Sequence, residues 1–239
     1  MKKKSCTKCD STDCFINRFV SREWKKKVDA GRILLPFEKG ESIFREGDPV
    51  SGIYFIYEGK VKVFNSGLKG KAQIVRFANS GDILGHRGFG KTHLYPIGAA
   101  ALEPSTLCFV PTALFLQMLD HNHAMVIELL EFYADELRRA ENKLRVITQL
   151  SVKQKMAEAI VTLSEIYGMS RSGTTDFLNV QLSRQEYAEI TGASLEEVIR
   201  TISQLRKEGI IRSEKKRIGI ANWKKMKALL SDFGPFRLP

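Results

Sequence analysis

The stretch LSRQEYAEITGASLEEVIRTISQLRKEGII, residues 182–211, decides the fold of the C-terminal part of the chain. Ser183 with Glu186, and Ser194 with Glu197, each have the spacing of a capping box. In that motif a hydroxyl takes a free backbone N–H and the carboxylate reaches back to the cap. Gly192 lies between the two units, where a turn joining two steeply crossed helices commonly uses glycine. Leu195, Val198, Ile199, Ile202 and Leu205 repeat at helical spacing as an apolar face, and Gly209 is placed to end the second helix. The opposite face carries Ser194, Glu196, Arg200, Thr201, Gln204 and Lys207. These types suit DNA: a carboxylate accepts from cytosine N4, an arginine forks onto guanine O6 and N7, and the others bond phosphates. By themselves they are equally the solvated face of a helical hairpin.

The rest of the chain bears on that choice. In 239 residues, 43% hydrophobic, there is material for two ordinary domains with apolar cores. Lys and Arg number 38 against 27 Asp and Glu, a formal charge of +11 that favours a polyanionic partner. No apolar run is long enough for a bilayer, and no apolar stretch follows the N-terminal lysines as in a secretory signal. The expectation is a cytoplasmic protein without membrane association, whose four cysteines are thiols or metal ligands rather than disulfides. Nucleophile-elbow, phosphate-loop, HExxH and kinase patterns are missing, so the reading is not an enzyme.

In chain order, Cys6, Cys9 and Cys14 form a C-x2-C-x4-C cluster in a polar N-terminal segment (1–20). A pair two residues apart is metal-ligand spacing, and Cys108 is the one cysteine left to complete a set of four. From about Leu34 to Pro111 short strands are punctuated by glycines, as in an antiparallel barrel or jelly roll. The glycines read as turn formers. Residues 112–149 read as helical. Leu130, Leu137 and Leu144 fall seven apart, with Tyr133, Ala140 and Ile147 three after each, an a/d seam that favours a parallel homodimer. Ser151 with Gln154 begins a new helix that stops near Gly168, which puts a domain boundary at Thr148–Ser151. A loop over residues 169–176, a strand around Phe177–Gln181, the helix-turn-helix, a small β-wing (211–220) and a helix over Trp223–Leu230 follow. The domains expected are thus the cysteine segment 1–20, a sensor 21–122, a dimerisation helix 123–150 and a DNA-binding domain 151–239.

FEKGESIFREGDPVSGIYFIYEGKVKVF (37–64), NSGDILG (79–85), Ser183-Arg184-Gln185-Glu186 and Ser194-Leu195-Glu196 with Arg200 together resemble the CRP/FNR transcription regulators over Phe37 to Ile220. The resemblance implies an α+β fold. Its parts are an N-terminal cyclic-nucleotide-binding-like β-roll (a double-stranded jelly roll), a long dimerisation helix and a C-terminal winged helix-turn-helix. It implies double-stranded DNA as partner, with RNA polymerase as a second partner touched by exposed β-roll loops such as Asn65–Lys71. Glu196 and Arg200 match the family's base-reading pair, and Ser183, Arg184, Gln185 and Ser194 match backbone-contacting positions. The site implied is a palindrome with a TGA-like core in each half, spaced about one helical turn. Leu195 and Ile199 depart from the residues that two branches of the family use for the outer base, although Ile199 could still meet a thymine methyl.

Cyclic-nucleotide members use a Gly-Glu pair for the ribose and an Arg-Ser/Thr-Ala run for the phosphate. This chain has Gly85-His86-Arg87-Gly88 and Ile97-Gly98-Ala99-Ala100 instead. A buried phosphate without a cation is costly, which argues against cyclic nucleotide as effector. The cysteines instead resemble the FNR-like, oxygen-sensing branch, with Cys108 in AALEPSTLCFVP similar to its distant ligand. That implies a [4Fe–4S] cluster on Cys6, Cys9, Cys14 and Cys108, whose oxidation would weaken the dimer and release DNA. A structural zinc on the same thiolates, an unidentified small ligand, and no metal at all stay open as alternatives. The histidines (86, 93, 121 and 123) read as surface or partly buried groups, and the Lys2–Lys4 and Lys25–Lys27 runs as solvated charge.

Overall fold

The computed structural model describes residues 5–9, 11–67, 71–173 and 175–231. The Lys2–Lys4 run, residues 68–70 of the Asn65–Lys71 loop and residue 174 of the 169–176 segment lie outside the described residues. The chain divides into two compact units, Met1–Gly67 with Arg76–Glu136, and Leu68–Val75 with Leu137–Pro239.

Strands β1 (Ile33–Phe37), β2 (Ser42–Phe44), β3 (Gly52–Glu58), β4 (Val61–Asn65), β5 (Gln73–Ala78), β6 (Ile83–Leu84), β7 (Gly98–Ala101) and β8 (Ser105–Pro111) form two four-stranded sheets. Their orders are β1-β8-β3-β6 and β2-β7-β4-β5. β3 is buried along most of its length, as a strand covered on both faces must be, and pairs antiparallel with β8 from Gly52↔Pro111 to Glu58↔Thr106. The glycine-punctuated strands of the sequence are all present. Ahead of β1 the chain forms two helices that the sequence reading left out. They are α1 (Phe15–Phe19) and α2 (Arg22–Gly31), the latter capped by Ser21 and buried at Trp24 and Val28. Only these two apolar residues, four apart, reveal the inner face of α2 within a lysine run. Nor is that run simply solvated: Lys27 lies 4.1 Å over the Trp24 ring and Lys25 donates to the Asn17 carbonyl at 2.8 Å.

The helical stretch after β8 is two helices, α3 (Thr112–His121) and α4 (His123–Gln149). Buried Asn122 breaks it, donating to the Met118 carbonyl at 2.7 Å and accepting from Ser21 N–H at 3.4 Å. Along α4, Met125 is buried, Leu129 and Phe132 pack on the same core, and the next inward position is Glu136. A carboxylate only 5% exposed needs partners, and it has them. Arg87 Nη2 is 2.6 Å away, Arg76 Nε 3.5 Å and His86 Nε2 3.8 Å. Arg76 also donates to the Ile83 carbonyl and faces Asp82 at 3.6 Å, while Tyr133 donates to the His86 carbonyl at 2.6 Å. Burial raises the Glu136 carboxyl, but His86, Arg76 and Arg87 outweigh it and hold it well below the usual carboxylate range. Contrary to a surface or half-exposed reading, His86 is buried, and burial pushes it below its ordinary value.

In the second unit, α5 (Val152–Tyr167) starts on a formed capping box between Ser151 and Gln154. The segment expected as a loop over 169–176 holds a strand, β9 (Met169–Ser172), which turns at Gly173 and pairs with β10 (Thr175–Leu178). Its residues are largely polar and exposed, so backbone pairing rather than an apolar alternation makes the strand. Helices α6 (Arg184–Thr191) and α7 (Leu195–Lys207) follow, then β11 (Ile211–Glu214), β12 (Arg217–Ile220) and α8 (Trp223–Ala228). The sheet order β11-β12-β10-β9 makes the wing continuous with the first hairpin. Gly219 has to be glycine there, because a Cβ would stand 2.6 Å from Thr175 Cγ2 and 2.9 Å from the Asp176 carbonyl.

Glu136→Gln should cost about 3 kcal/mol, since it leaves two guanidinium groups beside a neutral amide in a buried site. Urea denaturation at neutral pH measures it. His86 adds an acid limb. The unfolded chain takes up a proton near pH 6.5 whereas the folded chain resists it, so stability is lost as pH falls below about 6.5. His86→Gln should flatten that limb of the urea midpoint against pH.

Candidate nucleic-acid interface and thiol site

Local chemistry sets the two helices of the 182–211 stretch. Ser183 and Ser194 each accept from the N–H of the residue three further on, and Glu186 and Glu197 accept in return from the cap N–H at 2.8 and 2.9 Å. Gly192 closes α6 in the left-handed conformation, with φ of 65°. α7 has Glu196 and Glu197 in its first turn and Arg206 and Lys207 in its last, each the sign the helix dipole favours. Its inner face is Val198, Ile202 and Leu205.

The structure sorts the sequence candidates by exposure. Glu196, Arg200 and Gln204 lie exposed on one side of α7, and Gln185 is exposed on α6. Ser183 and Ser194 spend their hydroxyls on the caps, leaving Ser194 exposed and Ser183 half-buried. Arg184 is half-buried and donates from Nη2 to Ser213 Oγ on the wing at 2.7 Å. Thr201 departs from the expected set. It is 8% exposed, three residues after Val198 and four before Leu205, and therefore turned into the core. Leu195 and Ile199 depart in the opposite sense: counted with the apolar face in the sequence, they lie outside, at 42% and 47% exposure. The wing turn carries Lys215, at φ 53°, and Lys216, both exposed.

At the other end of the chain, Cys6, Cys9, Cys14 and Cys108 line one cavity together with Arg32, Asn17 and Phe55. A short 3-10 turn (Cys6–Lys8) and the start of α1 carry the first three, and β8 carries the fourth. Arg32 is buried. It pairs with Asp29 at 2.9 Å and donates from Nη1 to Cys108 Sγ at 3.1 Å, while Asp29 accepts from the Cys6 N–H at 3.1 Å. Burial pushes Cys6 up to about 12 and raises Cys14 and Cys108, against the pull of Arg32 on Cys6 and Cys108. Four sulfur donors on one cavity beside a fixed cation match the chemistry of an anionic tetrathiolate group. Among the described residues, no three His, Cys, Asp or Glu side chains are gathered closely enough to hold a single metal ion.

Arg32 and Asp29 are parts of this site that sequence reasoning missed, and Arg76 and Glu136 are parts of the β-roll ion cluster that it missed. Each depends on long-range packing. The signal available for Arg32 and Asp29 was only their i, i+3 spacing at the end of α2.

No helix among the described residues is long and apolar enough to cross a membrane. Residues 34–122 match the cyclic nucleotide-binding domain, and residues 154–229 match the Crp-like helix-turn-helix domain. The chain is 25% identical over 185 residues to the transcriptional activator protein Anr of Pseudomonas aeruginosa, covering 77% of this chain and 75% of that protein. It is 23% identical over 187 residues to the fumarate and nitrate reduction regulatory protein of Escherichia coli, covering 78% and 74%. The fold is similar to that of FixK2 from Bradyrhizobium japonicum, with a TM-score of 0.72 at 22% identity, over 83% of this chain and 96% of that one. A β-roll, a long helix and a winged helix-turn-helix in this order, with a domain match at each end, make the chain a member of the CRP/FNR family of DNA-binding transcription regulators.

Proposed function

We propose that this regulator is a cytoplasmic homodimer that reads a palindromic DNA site through α7 and is switched through its cysteine site. The observation that carries the switch is the cavity itself, which gathers thiols from the N-terminal segment and from β8. Cys6 and Cys108 belong to the same apolar core as Met118 and Met125, and Leu129 and Phe132 of α4 pack on that core. A change at the thiols therefore reaches the long helix through side chains already in contact.

When bound, a [4Fe–4S] cluster would be held by Cys6, Cys9, Cys14 and Cys108 and would supply an oxygen-labile group in this cavity. Arg32 offsets the negative charge of thiolates, and Asp29 orients both Arg32 and the Cys6 backbone. Burial keeps Cys6, Cys14 and Cys108 as neutral thiols, so loading the site releases protons. The names of the relatives Anr and the fumarate and nitrate reduction regulator support the FNR-like branch. The β-roll argues against a cyclic nucleotide. Glu136 already pairs with Arg76 and Arg87, so a phosphate would have to displace a buried carboxylate to reach them.

Homodimerisation rests on α4. Leu130, Leu137 and Leu144 are 61%, 63% and 65% exposed, one stripe along the helix with the heptad spacing of a coiled-coil seam. Two copies of α7 related by that seam would meet half-sites about one helical turn apart. Glu196 and Arg200 would read the TGA-like core, with Gln185, Gln204 and the cap segments at Ser183 and Ser194 on the backbone. RNA polymerase is the protein partner the family suggests.

Three measurements test this. Leu137→Glu should convert the dimer to a monomer by light scattering and weaken binding to the palindrome by at least tenfold. Arg200→Ala should cost about 1–3 kcal/mol and relax specificity at one base pair in a competition titration. A uniform loss over all sequences would reduce Arg200 to a phosphate contact. Protein purified without air should be brown, bleach in air, and lose both colour and oxygen-dependent DNA binding on Cys9→Ala. A colourless protein with one zinc per chain would replace the cluster with a structural ion.

A further inference from the structure

Arg32 is the C-cap of α2, where the helix dipole favours a cation, and it pairs with Asp29 one turn back. On a helix surface such an i, i+3 pair is ordinary. This one is turned inward: Arg32 is 4% exposed and lines the thiol cavity. The pair also touches a cysteine from each part of the chain that builds that cavity. Asp29 Oδ1 accepts from the Cys6 N–H at 3.1 Å and from Arg32 Nε and Nη2 at 3.0 and 2.9 Å. Arg32 Nη1 donates to Cys108 Sγ at 3.1 Å. One ion pair thus joins two cysteines that lie far apart in sequence.

The contact with Cys108 is the telling one. A buried charge is costly unless it is paired and hydrogen-bonded, and a neutral thiol is a weak acceptor. A guanidinium N–H aimed at Cys108 therefore gains little while the sulfur is protonated. The same contact becomes a charge-assisted bond, about twice as strong, once the sulfur is a thiolate, as it must be to hold a metal. The geometry is matched to a thiolate at Cys108 rather than to a thiol. Net charge and hydrogen bonds to the sulfurs also set how readily a thiolate-held iron–sulfur group gives up an electron. Losing that electron makes the site less negative, so a fixed cation at the sulfur opposes the loss and a carboxylate favours it.

Resting on the reading of Cys6, Cys9, Cys14 and Cys108 as one ligand set for an iron–sulfur group, we propose that Arg32 and Asp29 set its oxygen sensitivity by opposing charge. Arg32 holds the electron on the bound group through Cys108, and Asp29 weakens that hold by neutralising Arg32. The electron that dioxygen removes leaves with it as superoxide, and the pull of Arg32 slows that transfer.

The test uses full-length protein purified without air, as the parent, Arg32→Gln, Arg32→Lys and Asp29→Asn. The glutamine removes the charge and keeps N–H donors, and the asparagine keeps an acceptor for the Cys6 N–H. Two readouts are taken besides DNA binding. One is the midpoint potential from a dye-mediated titration followed by visible absorbance. The other is the rate of colour loss after mixing with air-saturated buffer. Arg32→Gln should lower the midpoint by about 59 mV, the one-electron equivalent of a tenfold change. It should also bleach about tenfold faster, the scale of a hydrogen bond to a charged group. Arg32→Lys, which keeps the charge, should stay closer to the parent than Arg32→Gln does. Asp29→Asn should move both readouts the other way. Opposite signs mark an effect of charge, because a merely structural pair would loosen the site alike in both variants. Circular dichroism melting and iron per chain check that each variant folds and loads. If Arg32→Gln does not fold, Asp29→Asn decides: a higher midpoint with slower bleaching supports the proposal, and an unchanged or lower midpoint overturns it. Shifts of one sign in both variants, or none in either, with a brown parent, overturn the proposal and leave the ligand set intact. A colourless parent overturns both.

Discussion

The buried charge of Glu136 fixes the rotation of α4 against the β-roll. It is the acidic residue of α4 turned inward, and its partners, Arg76, His86 and Arg87, all come from the β-roll. A helix pinned at one inward charged residue cannot rotate about its axis without stranding that charge, which would cost several kcal/mol. Pinning the rotation also settles what faces outward. With Met125 and Glu136 inside, the stripe of Leu130, Leu137 and Leu144 has to point away. The exposed leucine stripe is thus set by the same rotation that buries Glu136.

The same cluster brings cationic groups of the β-roll together around a carboxylate of the chain itself. The β-roll keeps cationic groups, but they come from Arg76 and Arg87 rather than from a phosphate-binding run, and the chain supplies its own carboxylate. The core beneath α4 is shared with Cys6 and Cys108.

Much of this was legible in the sequence, and the parts that were not have definite physical reasons. The capping boxes at Ser151, Ser183 and Ser194 are local chemistry within four residues and form as read. The β-strands announce themselves through glycine punctuation and apolar runs. In contrast α2 hides its two inner residues in a lysine run, and β9 is a polar strand whose existence depends on its partner. Tyr133 shows the limit of a heptad reading. Counted as part of the seam, it turns toward the β-roll and donates to the His86 carbonyl. Arg32, Asp29 and Glu136 were invisible as site residues because a charge reads as surface unless its distant partner is known. Among the cysteines, spacing pointed to Cys6, Cys9 and Cys14, and only the fold brings Cys108 to the same cavity.

Helix α7 shows why composition alone misjudges a reading surface. Five apolar residues at helical spacing suggest one broad apolar face, but a helix with a 3.6-residue period packed on one side buries only an arc. Val198, Ile202 and Leu205, with Thr201 between them, fill that arc. Leu195 and Ile199 fall just outside its edge, on the way round to Glu196 and Arg200. Burial therefore corrects the sequence in both directions, withdrawing a hydroxyl from the exposed face and adding two aliphatic groups to it. The outward face is thus a mixed surface of a carboxylate, a guanidinium and an aliphatic pair.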